Sequence, residues 1–154
     1  MIEIIEKKLG PTLTDELWIL ISGFILNSGE PELTAERVFG MMNHVAPDEY
    51  VFFEIRDDKA LKGYLFAQTM PDEYGDLILL VQSAYIHGVT ENFWPDMVKR
   101  LEDFGRSRGC DTMYFTTRRN PKAFMRLLRT PWTLDSHVMK HEFKKESNGQ
   151  KSIR

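Results

Sequence analysis

Five cations gather toward the C-terminal end of this sequence: Arg118, Arg119, Lys122, Arg126 and Arg129. Positions 118, 122 and 126 are four apart, so on a helix they stack along one side. Such a stripe suits a phosphate group, a nucleic acid or an acidic protein surface, and equally a solvated helix face. A second place for chemistry is Asn92-Phe93-Trp94-Pro95, which opens an apolar-periodic segment. Asn92 has the side chain of an N-cap, and Pro95 falls in the first turn, where its missing N–H breaks no helical bond. A helix start offers free amides to an anion. Here Pro95 withholds one donor, and Phe93 and Trp94 add bulk where a phosphate needs close backbone approach. His137 and His141 lie about 13 Å apart if both stand on one strand, too far to share a metal ion. Cys110 has no second cysteine to join, which excludes an internal disulfide and a multi-Cys metal site. It reads as a small hydrophobe opening a buried strand. The sequence has no Gly-x-Ser-x-Gly and no Walker loop.

These residues need elements to place them. Ile2–Lys7 reads as a short first strand, broken by Gly10-Pro11. Thr14 caps a helix whose stripe is Leu13, Leu17, Leu20, Ile21, Phe24 and Ile25, ended by Ser28-Gly29. Thr34 caps a second helix, with Leu33 and Val38 as a hydrophobic staple. Its buried face is Val38, Met41, Met42 and Val45, and Pro47 stops it. Tyr50–Arg56 and Leu61–Met70 are strands joined at Asp57-Asp58-Lys59 as an antiparallel hairpin. After the turn at 71–76, Leu77–Ile86 is apolar enough for a strand buried on both faces. A helix over Asn92–Gly109, a strand over Asp111–Thr117, a helix over Asn120–Arg129 and a last strand or hairpin arm over Thr133–Phe143 follow. The order β-α-α-β-β-β-α-β-α-β implies an α/β fold with a mixed, mostly antiparallel central sheet. One domain spans 1–145, with a polar tail over 146–154.

This order, with Gly63 opening the third strand, Arg108-Gly109-Cys110 closing the long helix and Asn120-Pro-Lys-Ala opening the next, resembles the GCN5-related N-acetyltransferase family. The resemblance implies the acyl-CoA N-acyltransferase-like fold and acetyl-CoA as the cofactor of an active member. It also implies a loop Arg/Gln-x-x-Gly-x-Gly/Ala for the CoA pyrophosphate. With Arg108-Gly109-Cys110 as anchor, the loop's Arg/Gln falls on Val89 and its key glycines on Asn92 and Trp94, and none matches. The nearby Gly88 restores the motif in no register. In the family's Asn-x-x-Ala-x-x-x-Tyr helix, Asn120 and Ala123 match. The tyrosine that protonates the leaving thiolate in many members falls on Leu127, which cannot act as an acid. The Gly-Phe that follows becomes Pro131-Trp132.

Members often place a basic Glu on the middle strands. The counterparts here are Glu54, otherwise a solvated or paired strand residue, and His87, otherwise a plain turn residue. Cofactor contacts implied by the resemblance are the backbone of Ser83, Ala84 and Tyr85 for the pantetheine arm, Asn92, and Arg118, Arg119, Asn120 and Lys122 for phosphates. Two functions follow. One is an acetyltransferase-like fold with a degenerate acetyl-CoA site, serving as a non-catalytic interaction or assembly module. Small phage-encoded acetyltransferase-like proteins, some virion-associated, are similar in lacking the glycine loop. The other is an acetyl-CoA-dependent N-acetyltransferase with an atypical pyrophosphate loop.

Composition narrows the partners. The 154 residues are 42% hydrophobic, and the longest apolar runs fall far short of a membrane span. The first residues carry acids within their apolar run and do not form a signal peptide. A cytoplasmic protein is expected, or a virion component if phage-encoded. Net charge is −3, yet residues 1–76 hold 15 acids and 6 bases, whereas residues 77–154 hold 8 acids and 14 bases. Opposed acidic and basic surfaces suit a protein partner or self-association. The pI of about 5.8 argues against nucleic acid.

Overall fold

The alternation of Tyr50, Phe52, Tyr64 and Phe66 on neighbouring strands creates an aromatic face that helices must cover. The computed structural model describes residues 1–28, 32–116, 133–135 and 138–143. Its elements are β1 (Ile2–Lys7), α1 (Asp15–Ser28), α2 (Ala35–Asn43), β2 (Tyr50–Asp57), β3 (Ala60–Pro71), β4 (Leu77–Ile86), α3 (Trp94–Ser107), β5 (Thr112–Thr116), β6 (Thr133–Asp135) and β7 (Val138–Glu142). Hydrogen-bonded neighbours in the sheet run β1-β2-β3-β4-β5-β7-β6. The architecture is mixed α/β with a mostly antiparallel sheet, as the sequence implies. The helix expected over Asn120–Arg129 and the polar tail lie outside the described residues.

The chain packs as two compact units: Met1–Phe66 with Ser83–Glu91, and Ala67–Gln82 with the described part of Asn92–Arg154. In the first, β1 runs antiparallel to β2 from Ile2↔Asp57 to Lys7↔Phe52. Asp58 and Lys59 turn the β2–β3 hairpin with φ of 49° and 74°, the two left-handed residues of a type I′ turn. Leu17, Leu20 and Ile21 of α1 and Val38 and Met42 of α2 bury the aromatic face. Tyr50 stacks on Phe66 at 5.4 Å and Phe52 on Tyr64 at 6.0 Å. Thr14 Oγ1 accepts from Leu17 N and Thr34 Oγ1 from Arg37 N, so both expected caps form. The second helix ends at Asn43 rather than carrying Val45, because the turn at His44 already closes it: Val45 N donates to Met42 O at 3.4 Å.

In the second unit, β4 pairs parallel with β5 from Leu79↔Met113 to Val81↔Phe115. The apolar stripe Trp94, Met97, Val98 and Leu101 of α3 is buried. Arg108-Gly109-Cys110 is a helix stop: Cys110 N donates to Gly105 O, Gly109 N donates to Arg106 O, and Gly109 takes φ of 86°. This is the Schellman pattern, which needs a glycine at that φ. Burial, with Asp111 beside it, pushes the Cys110 thiol up to about 11. The last stretch is not one strand over Thr133–Phe143. It is two, β6 and β7, paired antiparallel from Thr133↔Lys140 to Asp135↔Val138. His137 falls between them, outside the described residues, so the two-histidine spacing on a single strand does not apply. Among the described residues, no helix is long and apolar enough to cross a membrane.

Candidate functional site

The start of α3 is where a phosphate-binding loop would have to act, and its donors can be followed one by one. The N-cap is Phe93, not Asn92 as the side-chain type suggested, and Phe93 makes no side-chain cap bond. Asn92 stands one position earlier, where its Oδ1 accepts from Trp94 N at 3.3 Å. The displacement follows from Pro95, which sits at the second helical position, where it fits with no loss of a helical bond. Of the first four helical amides, Trp94 N is thus engaged by Asn92, and Pro95 has none. Met97 N closes the first helical bond, to Phe93 O at 3.1 Å. That leaves Asp96, whose own carboxylate lies in the first turn and pairs with Arg100 Nε at 3.3 Å. An acid here already complements the positive end of the helix dipole.

The two aromatic side chains are core, not lining. Phe93 and Trp94 are each 7% exposed and stack on each other at 4.9 Å. Trp94 meets Phe115 of β5 edge-on at 5.6 Å. Of the donors a pyrophosphate would use here, one is engaged by Asn92 and one is absent, and the neighbouring rings are fixed by packing.

Within the first unit, Ser83, Ala84 and Tyr85 occupy the C-terminal half of β4. Ser83 is buried, and its Oγ lies 2.6 Å from the hydroxyl of Tyr64, also buried. Burial drives the Tyr64 phenol far above its ordinary range, so it stays protonated. Tyr85 packs into the α1–α2 core against Gly23, where an added Cβ would come within 2.7 Å of its ring. Ser83 and Tyr85 thus serve the core with their side chains, which leaves only their backbone for a ligand. His87 is exposed, its ring parallel to that of Tyr85 at 6.4 Å. Its N–H donates to Lys62 O at 2.9 Å, and Gly88 follows at φ of 71°. The geometry is that of a turn.

Glu54 is buried on β2 with cations on both sides. Arg56 Nε donates to its Oε1 at 2.9 Å, and Lys7 Nζ from β1 lies 3.3 Å away. Arg56 continues to Glu16 of α1 at 3.6 Å and donates to Lys59 O at 2.8 Å. A carboxylate held this way ties β1, β2 and α1 together, and proton abstraction would break that network. Replacing Glu54 with Gln should cost about 2 kcal/mol, since hydrogen bonds to a charged group are lost and Arg56 keeps its burial. Urea unfolding would check this, and an unchanged midpoint would refute the structural role.

Arg118, Arg119, Asn120 and Lys122 lie outside the described residues. Asp96 and Phe115 are the site residues that the sequence reading passed over. Asp96 was legible as an acid directly after Pro95, whereas Phe115 joins Trp94 only through the packing of β5.

No family model matches this sequence, and no curated protein does. Solved structures match by shape. The ribosomal-protein-alanine N-acetyltransferase from Brucella melitensis biovar Abortus 2308 aligns with a TM-score of 0.59 at 15% identity, over 82% of this chain and 88% of that one. An acetyltransferase of the GNAT family from Staphylococcus aureus Mu50 aligns with a TM-score of 0.63 at 11% identity, over 94% and 100%. A chain of the NatC complex bound to Gag peptide and CoA aligns at 0.63 with 13% identity, over 92% and 99%. At these identities the likeness is one of fold.

Proposed function

We propose that this chain, which has the fold of the GCN5-related N-acetyltransferases, is a non-catalytic interaction or assembly module whose acetyl-CoA site is degenerate. The observation that carries this reading is the donor inventory at α3. Trp94 N is turned to Asn92, Pro95 has no N–H, and Asp96 brings a carboxylate to the helix end. A helix N-terminus binds phosphate by presenting free amides and a positive dipole end; here Trp94 N is engaged from within the chain and Asp96 already complements the dipole. The catalytic candidates point the same way. Glu54 is committed to Arg56 and Lys7, and the acid position of the family falls on Leu127.

A second reading is an acetyl-CoA-dependent N-acetyltransferase with an atypical pyrophosphate loop. It draws on β4, which runs to Ile86, beyond Val81, its last residue paired with β5 among the described residues. Backbone at Ser83–Tyr85 would pair with the pantetheine arm, and Arg118, Arg119, Asn120 and Lys122 would supply the phosphate contacts. One solved structure of this fold is a complex with CoA.

Titration calorimetry with acetyl-CoA and with CoA separates the two. The module reading expects no binding at ligand concentrations up to about 1 mM. Micromolar binding overturns it. If binding is then lost in the Arg118→Ala, Arg119→Ala double variant, the enzyme reading gains its phosphate contacts.

A further inference from the structure

Helix α1 is apolar on two sides. Leu17, Leu20 and Ile21 face the core, while Trp18, Ile19 and Leu26 are 42%, 69% and 83% exposed. At about 100° per residue, positions 15, 18, 19, 22 and 26 fall within one narrow arc of the helix surface. Trp18, Ile19 and Leu26 make that arc apolar. Its Ser22 turns its hydroxyl back to Trp18 O at 2.9 Å, so it presents little polarity outward. An outward stripe of Trp, Ile and Leu on a helix whose other side is already in the core marks a contact surface.

The surrounding charge selects the occupant. Asp15, Glu16, Glu32, Glu36, Asp48 and Glu49 are all exposed in the α1–α2 segment, and Arg37 is its one cation among the described residues. A second copy would bring a segment of the same acidic sign against this one. An anionic membrane or a nucleic acid would be repelled by the same charge. A cationic partner is attracted by it.

We propose that the exposed Trp18–Ile19–Leu26 face of α1, which belongs to an acidic segment of the chain, docks a cationic amphipathic segment of another protein. The surface names a partner class for the module reading and rests on that reading. It needs apolar anchors on one face of the segment, for the α1 stripe, and Lys or Arg flanking them, for the acidic charge of the α1–α2 segment.

A fluorescein-labelled Leu/Lys amphipathic peptide of roughly 18 residues is a direct probe, with a Leu/Glu peptide of the same pattern as its opposite. Anisotropy should show binding of the first and none of the second. The Ile19→Ser, Leu26→Ser double variant keeps every charge and should weaken the Leu/Lys peptide by about tenfold or more. Both side chains are exposed, so the variant should melt at the wild-type temperature. The single Leu26→Ser variant, at the most exposed position, should weaken binding in the same direction. Raising salt from about 50 to 500 mM should weaken it further. Equal binding by wild type and double variant would reveal general charge attraction and overturn the proposal. Concentration-dependent dimerisation abolished by Leu26→Ser would also overturn it, by making the occupant a second copy. Acetyl-CoA titrated in parallel keeps the two ideas separate. Coenzyme binding alone sinks the module reading, and loss of the apolar dependence alone sinks this surface.

Discussion

Gly63→Ala should lower stability by about 3 kcal/mol, at the upper end of what overpacking a core position costs. Gly63 lies on β3 where β4 approaches it closely. A Cβ there would come within 2.7 Å of Ile86 Cγ1, 2.8 Å of Tyr85 O and 3.1 Å of Ile86 Cα. The first of these can yield by a change of rotamer. The other two are backbone, and moving them strains the strand that carries Ser83 and Tyr85. Gly40 is the internal control. It sits in α2 with nothing within 4 Å of an added Cβ, so Gly40→Ala should leave stability unchanged or raise it by roughly 0.5–1 kcal/mol through helix propensity. Urea unfolding of the two variants side by side decides the matter. A loss under about 1 kcal/mol at position 63 would mean that β3 and β4 are not held as close as described.

The elements most legible in sequence were those whose signals are local. Thr14 and Thr34 announce their helices because capping depends on one side chain and the next three amides. Asp57-Asp58-Lys59 announces a hairpin because two strands of aromatic and branched residues leave it no other path. Gly109 announces the end of α3 because the left-handed backbone there suits glycine. What failed depended on competition between neighbours. Asn92 has the better capping side chain, yet Pro95 sets the helix start and moves the cap to Phe93. The split of Thr133–Phe143 into β6 and β7 is a pairing decision, marked in sequence only by the turn-type pair Asp135-Ser136, too weak a signal on its own to fix where one strand ends. For the site, the mismatch with a phosphate loop was readable at Asn92, Trp94 and Pro95. The engagement of Glu54 by Lys7 and Arg56 was not. Lys7 reaches it only through the β1–β2 register, 47 positions away in the chain, as the pair Lys7 and Glu54 shows.

Trp94→Ala should destabilise the protein by about 4 kcal/mol, within the range for truncating a buried large aromatic. Trp94 is 7% exposed and is held by Phe93 on one side and Phe115 on another. Deleting it opens a cavity between the first turn of α3 and β5. The same substitution also tests the functional reading, because Trp94 stands where the family places a loop glycine. If bulk alone kept a diphosphate out, shortening this side chain would admit one. The structure gives two reasons that it should not. Pro95 still withholds its donor, and Asp96 still sets a carboxylate at the helix end. The variant is therefore expected to lose stability and to gain no affinity for CoA. Chemical denaturation reads the first effect and calorimetry reads the second. A loss under about 1 kcal/mol would remove Trp94 from the core, and micromolar CoA binding by the variant would show that the ring was a plug in a working cradle.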